Sequence, residues 1–341
     1  MLRELEYLPQ GLLACPATGL ERILGAPTLI HLPGRREPPL FVSILMHGNE
    51  TTGWEAVRRL LARYRPGGGE QELPRALSLF IGNVSAVGQG LRRLPGQPDY
   101  NRVWPGGDDN TSEEARLMQQ VVEVMAERGI FASVDVHNNT GLNPHYACIN
   151  RLDAPFLHLA SLFARTVVYF TRPTGVQSLA MAQLAPSVTL ECGKPEQPFG
   201  MQHVMEYLEA CLRLDHHPDH PPTARELELF HTVATVKVPE AVTFGFDTSE
   251  SDISLAGDLE LLNFRELSRG TVLGRIRPGL GVGLSVLDER GADVSDRYLE
   301  VAEGELRLRL PVMPSMITRD CRVIRQDCFC YLMERYSDHL S

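Results

Sequence analysis

The chain has 341 residues, 43% hydrophobic and 22% charged, enough to bury one large core and a smaller second one. Its formal net charge of −10, with 33 Lys and Arg dispersed along the sequence, argues against nucleic acid as a partner, which requires clustered basic residues. The opening MLRELEYLPQ lacks the apolar core of a signal peptide, and no segment reaches the roughly 20 apolar residues that span a bilayer, so the expectation is a cytoplasmic protein without a membrane partner.

From residue 40 to about 213, short apolar runs alternate with helical periodicity. Strands are predicted over 40–46, 77–82, 130–136, 166–170 and 187–191, and helices over 52–64, 112–128, 154–164 and 199–214. That alternation implies an α/β layer structure with a mixed or largely parallel sheet, and runs that are apolar throughout imply helices on both faces. Gly67-Gly68-Gly69 reads as a loop. The prolines of 215–222 cannot continue a helix, so the first domain is set at 1–214. The rest, 215–341, reads as a smaller β-rich domain with strands over 231–238, 242–246, 271–276, 284–287, 305–310 and 322–333. Seven cysteines without a CxxC pair are expected as reduced, mostly buried thiols.

The 40–46 run leads into His47-Gly48-Asn49-Glu50, and the 130–136 run ends in Asp135-Val136-His137. With 11 His and 43 acidic residues, roughly 1.4 His-x-x-acid pairs are expected at random, and three occur. His203-Glu206 lies inside a predicted helix and His216-Asp219 in the proline-rich stretch; only His47-Glu50 stands where a strand breaks into a helix. Open α/β sheets bind ligands beyond the carboxyl ends of their strands, where His47, Asn83, His137 and Glu191 all fall. Two histidines and a carboxylate at such ends can hold zinc with a fourth position open to water, the pattern of hydrolytic sites. Asp135, two residues before His137 on one strand face, is placed to orient that histidine or is simply a buried hydrogen-bonded carboxylate. His145 reads as a loop histidine, and Cys192 points away from the face of Glu191.

Four segments in order, His47-Gly48-Asn49-Glu50, Asp99-Tyr100-Asn101-Arg102, Asp135 to Gly141 and Thr189 to Pro195, resemble the motifs of the succinylglutamate desuccinylase/aspartoacylase family, relatives of the zinc carboxypeptidases. The resemblance covers about residues 40–205. It implies a zinc-carboxypeptidase-like mixed sheet with a β-rich C-terminal domain capping the active site, and one Zn²⁺ per chain held by His47, Glu50 and His137. It also implies Glu191 as general base and Asn101 and Arg102 in contact with substrate. Arg102 further suits a developing oxyanion.

Two departures limit the substrate. The arginine expected about ten residues ahead of the catalytic glutamate is absent from 177–185, and a tyrosine expected near 311–317 is absent too. Arg93, with Arg92 and Arg172, is the available substitute. The expected activity is hydrolysis of the amide, or ester, bond of a small N-acyl amino acid or related amine. The alternatives are a carboxypeptidase-like peptidase on short peptides and a catalytically silent metal-bound binding protein; homo-oligomerisation is left open.

Overall fold

A computed structural model describes residues 1–64, 72–195, 197–223 and 225–336, so the glycine loop expected at 67–69 lies outside the described residues. The chain divides into two compact units, Met1–Asn138 with His145–Glu228, and Asn139–Pro144 with Leu229–Ser341.

The first unit is built on strands β1 (Arg3–Leu5), β2 (Thr28–Leu32), β3 (Leu40–Ile44), β4 (Leu77–Ile81), β5 (Ala132–His137), β6 (Tyr146–Ile149), β7 (Thr166–Tyr169) and β8 (Ser187–Glu191). They lie in the order β1-β2-β4-β3-β5-β8-β6-β7. The centre, β4-β3-β5-β8, is parallel, while β2 and β6 run antiparallel to β4 and β8. The sheet is therefore mixed, as expected. Every residue of β3, β5 and β8 is buried, which explains runs without polar alternation.

Helices α1 (Leu20–Leu24), α2 (Thr52–Arg63), α3 (Val84–Gly88), α4 (Glu113–Arg128), α5 (Ala154–Ser161), α6 (Gln177–Met181) and α7 (Pro198–Arg213) complete this unit. A Cβ at Gly53 of α2 would meet Ile44 and Val136, so α2 covers the face carrying those residues. Phe41, Phe80 and Leu29 pack instead with Met118, Val121 and Met125 of α4 and Met181 of α6. Ser43, Ser133, Asp135 and His137 alternate onto this second face. The start of α4 is set by Ser112, whose Oγ accepts the Ala115 N–H at 3.0 Å, with Glu113 and Glu114 in the first turn. Its end falls at Gly129, whose φ of 71° suits glycine.

The chain's division falls after Glu228 rather than at the proline-rich stretch, because that stretch is anchored within the first unit. His217 donates to the Phe131 carbonyl at 2.9 Å and stacks on its ring at 4.2 Å, and His158 donates to the His220 carbonyl at 2.6 Å.

The second unit is β-rich. Strands β9 (Glu228–Lys237), β10 (Phe244–Phe246), β11 (Ile253–Leu255), β12 (Val272–Ile276), β13 (Ser285–Asp288), β14 (Leu299–Ala302), β15 (Glu305–Leu308), β16 (Met313–Ser315) and β17 (Cys330–Arg335) form two groups. One is β13-β9-β17-β16, the other β10-β11-β12-β15-β14. The 322–333 segment is not one strand: Cys321–Gln326 is helical, capped by Asp320, and the strand begins at Cys330. Residues Asn139–Pro144 join this unit through Met316 N–H to Asn143 Oδ1 (2.9 Å) and Asn263 Nδ2 to the Leu142 carbonyl (3.3 Å). No disulfide forms among the seven cysteines. Among the described residues, no helix is long and apolar enough to cross a membrane.

Candidate functional site

β3 ends at Ile44, and Leu45 then takes a left-handed backbone (φ 58°), uncommon for a leucine. That turn throws His47 out beyond the strand end. Gly48 is required for space rather than for φ: a Cβ there would lie 2.4 Å from Val87 N and 2.6 Å from the Leu91 carbonyl oxygen. The His47–Glu50 turn is thereby pressed against the segment that ends in Arg92, whose carbonyl accepts the Gly48 N–H at 3.0 Å.

Glu50 sits between two imidazoles. Its Oε1 lies 2.8 Å from His47 Nδ1, its Oε2 lies 2.8 Å from His137 Nδ1, and Oε2 also accepts the Asn138 N–H at 3.2 Å. All three side chains are buried. The far nitrogens are held by carboxylates: His47 Nε2 is 2.9 Å from Asp99 Oδ1, and His137 Nε2 is 2.7 Å from Asp135 Oδ2. Asp99 in turn accepts Arg92 Nη2 at 2.9 Å and the Asn101 N–H at 2.8 Å, and Arg92 Nη1 lies 3.7 Å from Glu50 Oε1.

This wiring decides what the cluster can hold. If each Nε2–H is donated to its carboxylate, each Nδ1 turns a lone pair toward a Glu50 oxygen. Lone pairs facing a carboxylate at 2.8 Å repel unless a proton or a cation lies between them. Without a cation the cluster holds protons. Burial and Arg92 oppose protonation of His47, and Asp99 and Glu50 outweigh them and raise its pKa. Burial likewise opposes a charge on His137, yet Asp135 and Glu50 raise it well above the usual histidine range. Burial would raise Glu50, but the two histidines hold it far below the usual carboxylate range. A divalent cation satisfies the same atoms, which lie within 4.8 Å of one another, so His47, Glu50 and His137 fit a metal. A second group, Glu4, Glu6 and His31, fits less well: its carboxylates are exposed, and Arg128 already pairs with Glu6 at 2.7 Å.

The other expected residues are placed as follows. Glu191 ends β8 as the register partner of His137, so its side chain shares the face of the cluster. The Asn101 amide is fixed at both ends, its Oδ1 accepting the Gln177 N–H at 2.9 Å and its Nδ2 lying 3.2 Å from His137 Nε2. Arg102 donates from Nη1 to the Asn101 carbonyl at 2.8 Å. Arg93 donates to the Gln97 carbonyl at 3.0 Å, bracing its own loop. His145 stacks with Phe163 and His203 rather than joining the cluster. Sequence reasoning gave Asp99 no role of its own and Arg92 only a substitute's part; the one signal was the position of Asp99 two residues before Asn101.

The catalytic-domain profile of the succinylglutamate desuccinylase/aspartoacylase family matches residues 37–217, and the chain belongs to that family, a class of deacylating hydrolases. Among curated proteins, none matches in sequence. Solved structures share the fold. A succinylglutamate desuccinylase from Chromobacterium violaceum is 18% identical, with 89% of this chain and 86% of that one covered at a TM-score of 0.56. A succinylglutamate desuccinylase/aspartoacylase from Rhodobacter sphaeroides is 17% identical, with 90% and 88% covered at 0.58. Murine aminoacylase 3 is 13% identical, with 88% and 97% covered at 0.55.

Proposed function

We propose that this chain is a zinc-dependent hydrolase that cleaves the amide bond of a small N-acyl amino acid or related acylated amine, with one zinc held by His47, Glu50 and His137. The observation carrying this reading is the convergence of both Nδ1 atoms on Glu50 while Asp99 and Asp135 hold both Nε2 atoms. When bound, zinc supplies a water of pKa about 7 and a polarised acyl carbonyl.

The chain's own residues do the rest. Glu191, beside His137 on the same sheet face, takes the proton of the attacking water and passes it to the departing amine. Arg102 and Arg92 offer guanidinium charge to the oxygen on which negative charge builds. Asn101, its amide orientation fixed by Gln177, sets Nδ2 against Nε2 of His137 and so steadies that ligand from its far side. Family membership supports acylated amino acids as the substrate class.

The test is a screen of the zinc-loaded protein against N-acyl amino acids, acyl esters and short peptides, reading released amine or alcohol. Turnover confined to the acylated small molecules is expected. Turnover of peptides alone, or of none, overturns the reading.

A further inference from the structure

β3 reads Leu-Phe-Val-Ser-Ile, and its one polar residue, Ser43, is fully buried. A hydroxyl in such a strand is costly unless it is hydrogen-bonded. Ser43 faces Asp135 in the parallel register of β3 and β5, and its Oγ donates to Asp135 Oδ1 at 2.7 Å. The other oxygen of Asp135 accepts His137 Nε2 at 2.7 Å.

The two carboxylates that steady the histidines are held very differently. Asp99 accepts from a guanidinium and a backbone N–H as well as from His47. Asp135, with no exposed surface, has only Ser43 and His137 as hydrogen-bond partners among the described residues. Thr189, its register partner on β8, makes no hydrogen bond to it. The orientation of the Asp135 carboxylate therefore depends, besides His137 itself, on one neutral hydroxyl, and that carboxylate acts on His137 at the nitrogen that also lies 3.2 Å from Asn101 Nδ2.

We propose that Ser43 is a positioning residue for the metal centre, acting through Asp135 to turn the Nδ1 lone pair of His137 toward the ion. The proposal rests on the metal reading above. Without Ser43, Asp135 Oδ1 is a buried anionic oxygen with no donor, and the carboxylate turns to seek one. His137 Nε2–H then loses its fixed acceptor, so the ring no longer holds the ligating tautomer in place.

The experiment is zinc affinity by chelator competition, with the visible spectrum of the cobalt-loaded protein and the thermal midpoint of the metal-free protein, for wild type, Ser43→Ala, Ser43→Cys and Ser43→Thr. Outer partners of metal-bound histidines typically affect affinity about 10–100-fold. Ser43→Ala is expected to bind zinc about tenfold more weakly with an altered cobalt spectrum. Ser43→Thr, which keeps the hydroxyl, should return both toward wild type. Ser43→Cys, a weak donor of similar shape, keeps the test open if the alanine variant does not fold, and should also bind more weakly. Unchanged zinc affinity and cobalt spectrum in Ser43→Ala or Ser43→Cys, even with a lower thermal midpoint, would overturn the proposal and make Ser43 a packing residue. Wild type that binds no zinc defeats the metal reading itself.

Discussion

Replacing Glu191 by glutamine isolates the proton-transfer step. Glu191 and His137 are register partners on adjacent strands, whose backbones lie about 4.8 Å apart, so the two side chains leave the sheet on the same face. Glutamine preserves size and shape and leaves His47, Glu50 and His137 untouched; metal content and thermal midpoint should match wild type. What is lost is the ability to take up a proton. General acid–base groups contribute about 10²–10⁴-fold, or about 2.7–5.4 kcal/mol at about 1.36 kcal/mol per tenfold. The assay is steady-state amine release from the best substrate of the N-acyl panel, with zinc measured in the same samples. A rate within about threefold of wild type removes Glu191 from the mechanism. Loss of zinc along with activity refutes the reasoning differently, by making Glu191 a structural support of the cluster.

Three further outcomes follow from the site. Arg102→Lys should lower kcat and kcat/KM together if its guanidinium meets charge present only in the transition state, whereas a raised KM with kcat unchanged assigns it to ground-state binding. In the metal-free protein, the raised pKa values of His47 and His137 contribute stability that is complete below their unfolded value of about 6.5 and fades as pH climbs through the folded values. The depressed Glu50 contributes stability that is complete above about 4.5 and is lost on acidification. Thermal midpoints of the metal-free protein should therefore fall on the alkaline side, and zinc addition near neutral pH should release protons measurable in weak buffer. A midpoint that rises steadily with pH, or zinc uptake without proton release, contradicts the protonated cluster.

What the sequence made legible was what local pattern encodes. β3, β5 and β8 are buried on both faces, so their apolar runs stood out, and the turn between β3 and α2 carries His47 and Glu50 three residues apart. β2 was missed because Thr28 and His31 interrupt its apolar run, and β6 because four residues give too little pattern. The strand expected over 322–333 failed where Asp320 caps a short helix, whose Val323 and Ile324 read as β-formers when taken alone. The supports of the site were hidden for another reason. Asp99 meets His47 across 52 positions and Ser43 meets Asp135 across 92, and neither pairing leaves a periodic trace in the chain. The need for glycine at position 48 is hidden in the same way, since the crowding that demands it comes from Val87 and Leu91, some forty residues on.

The account stands most directly on metal content. Wild-type protein, stripped and reloaded, should hold one zinc per chain after desalting, and His47→Ala and His137→Ala, each folded by circular dichroism, should hold far less. Equal zinc in wild type and both variants would show that these histidines are not its ligands and would contradict the account.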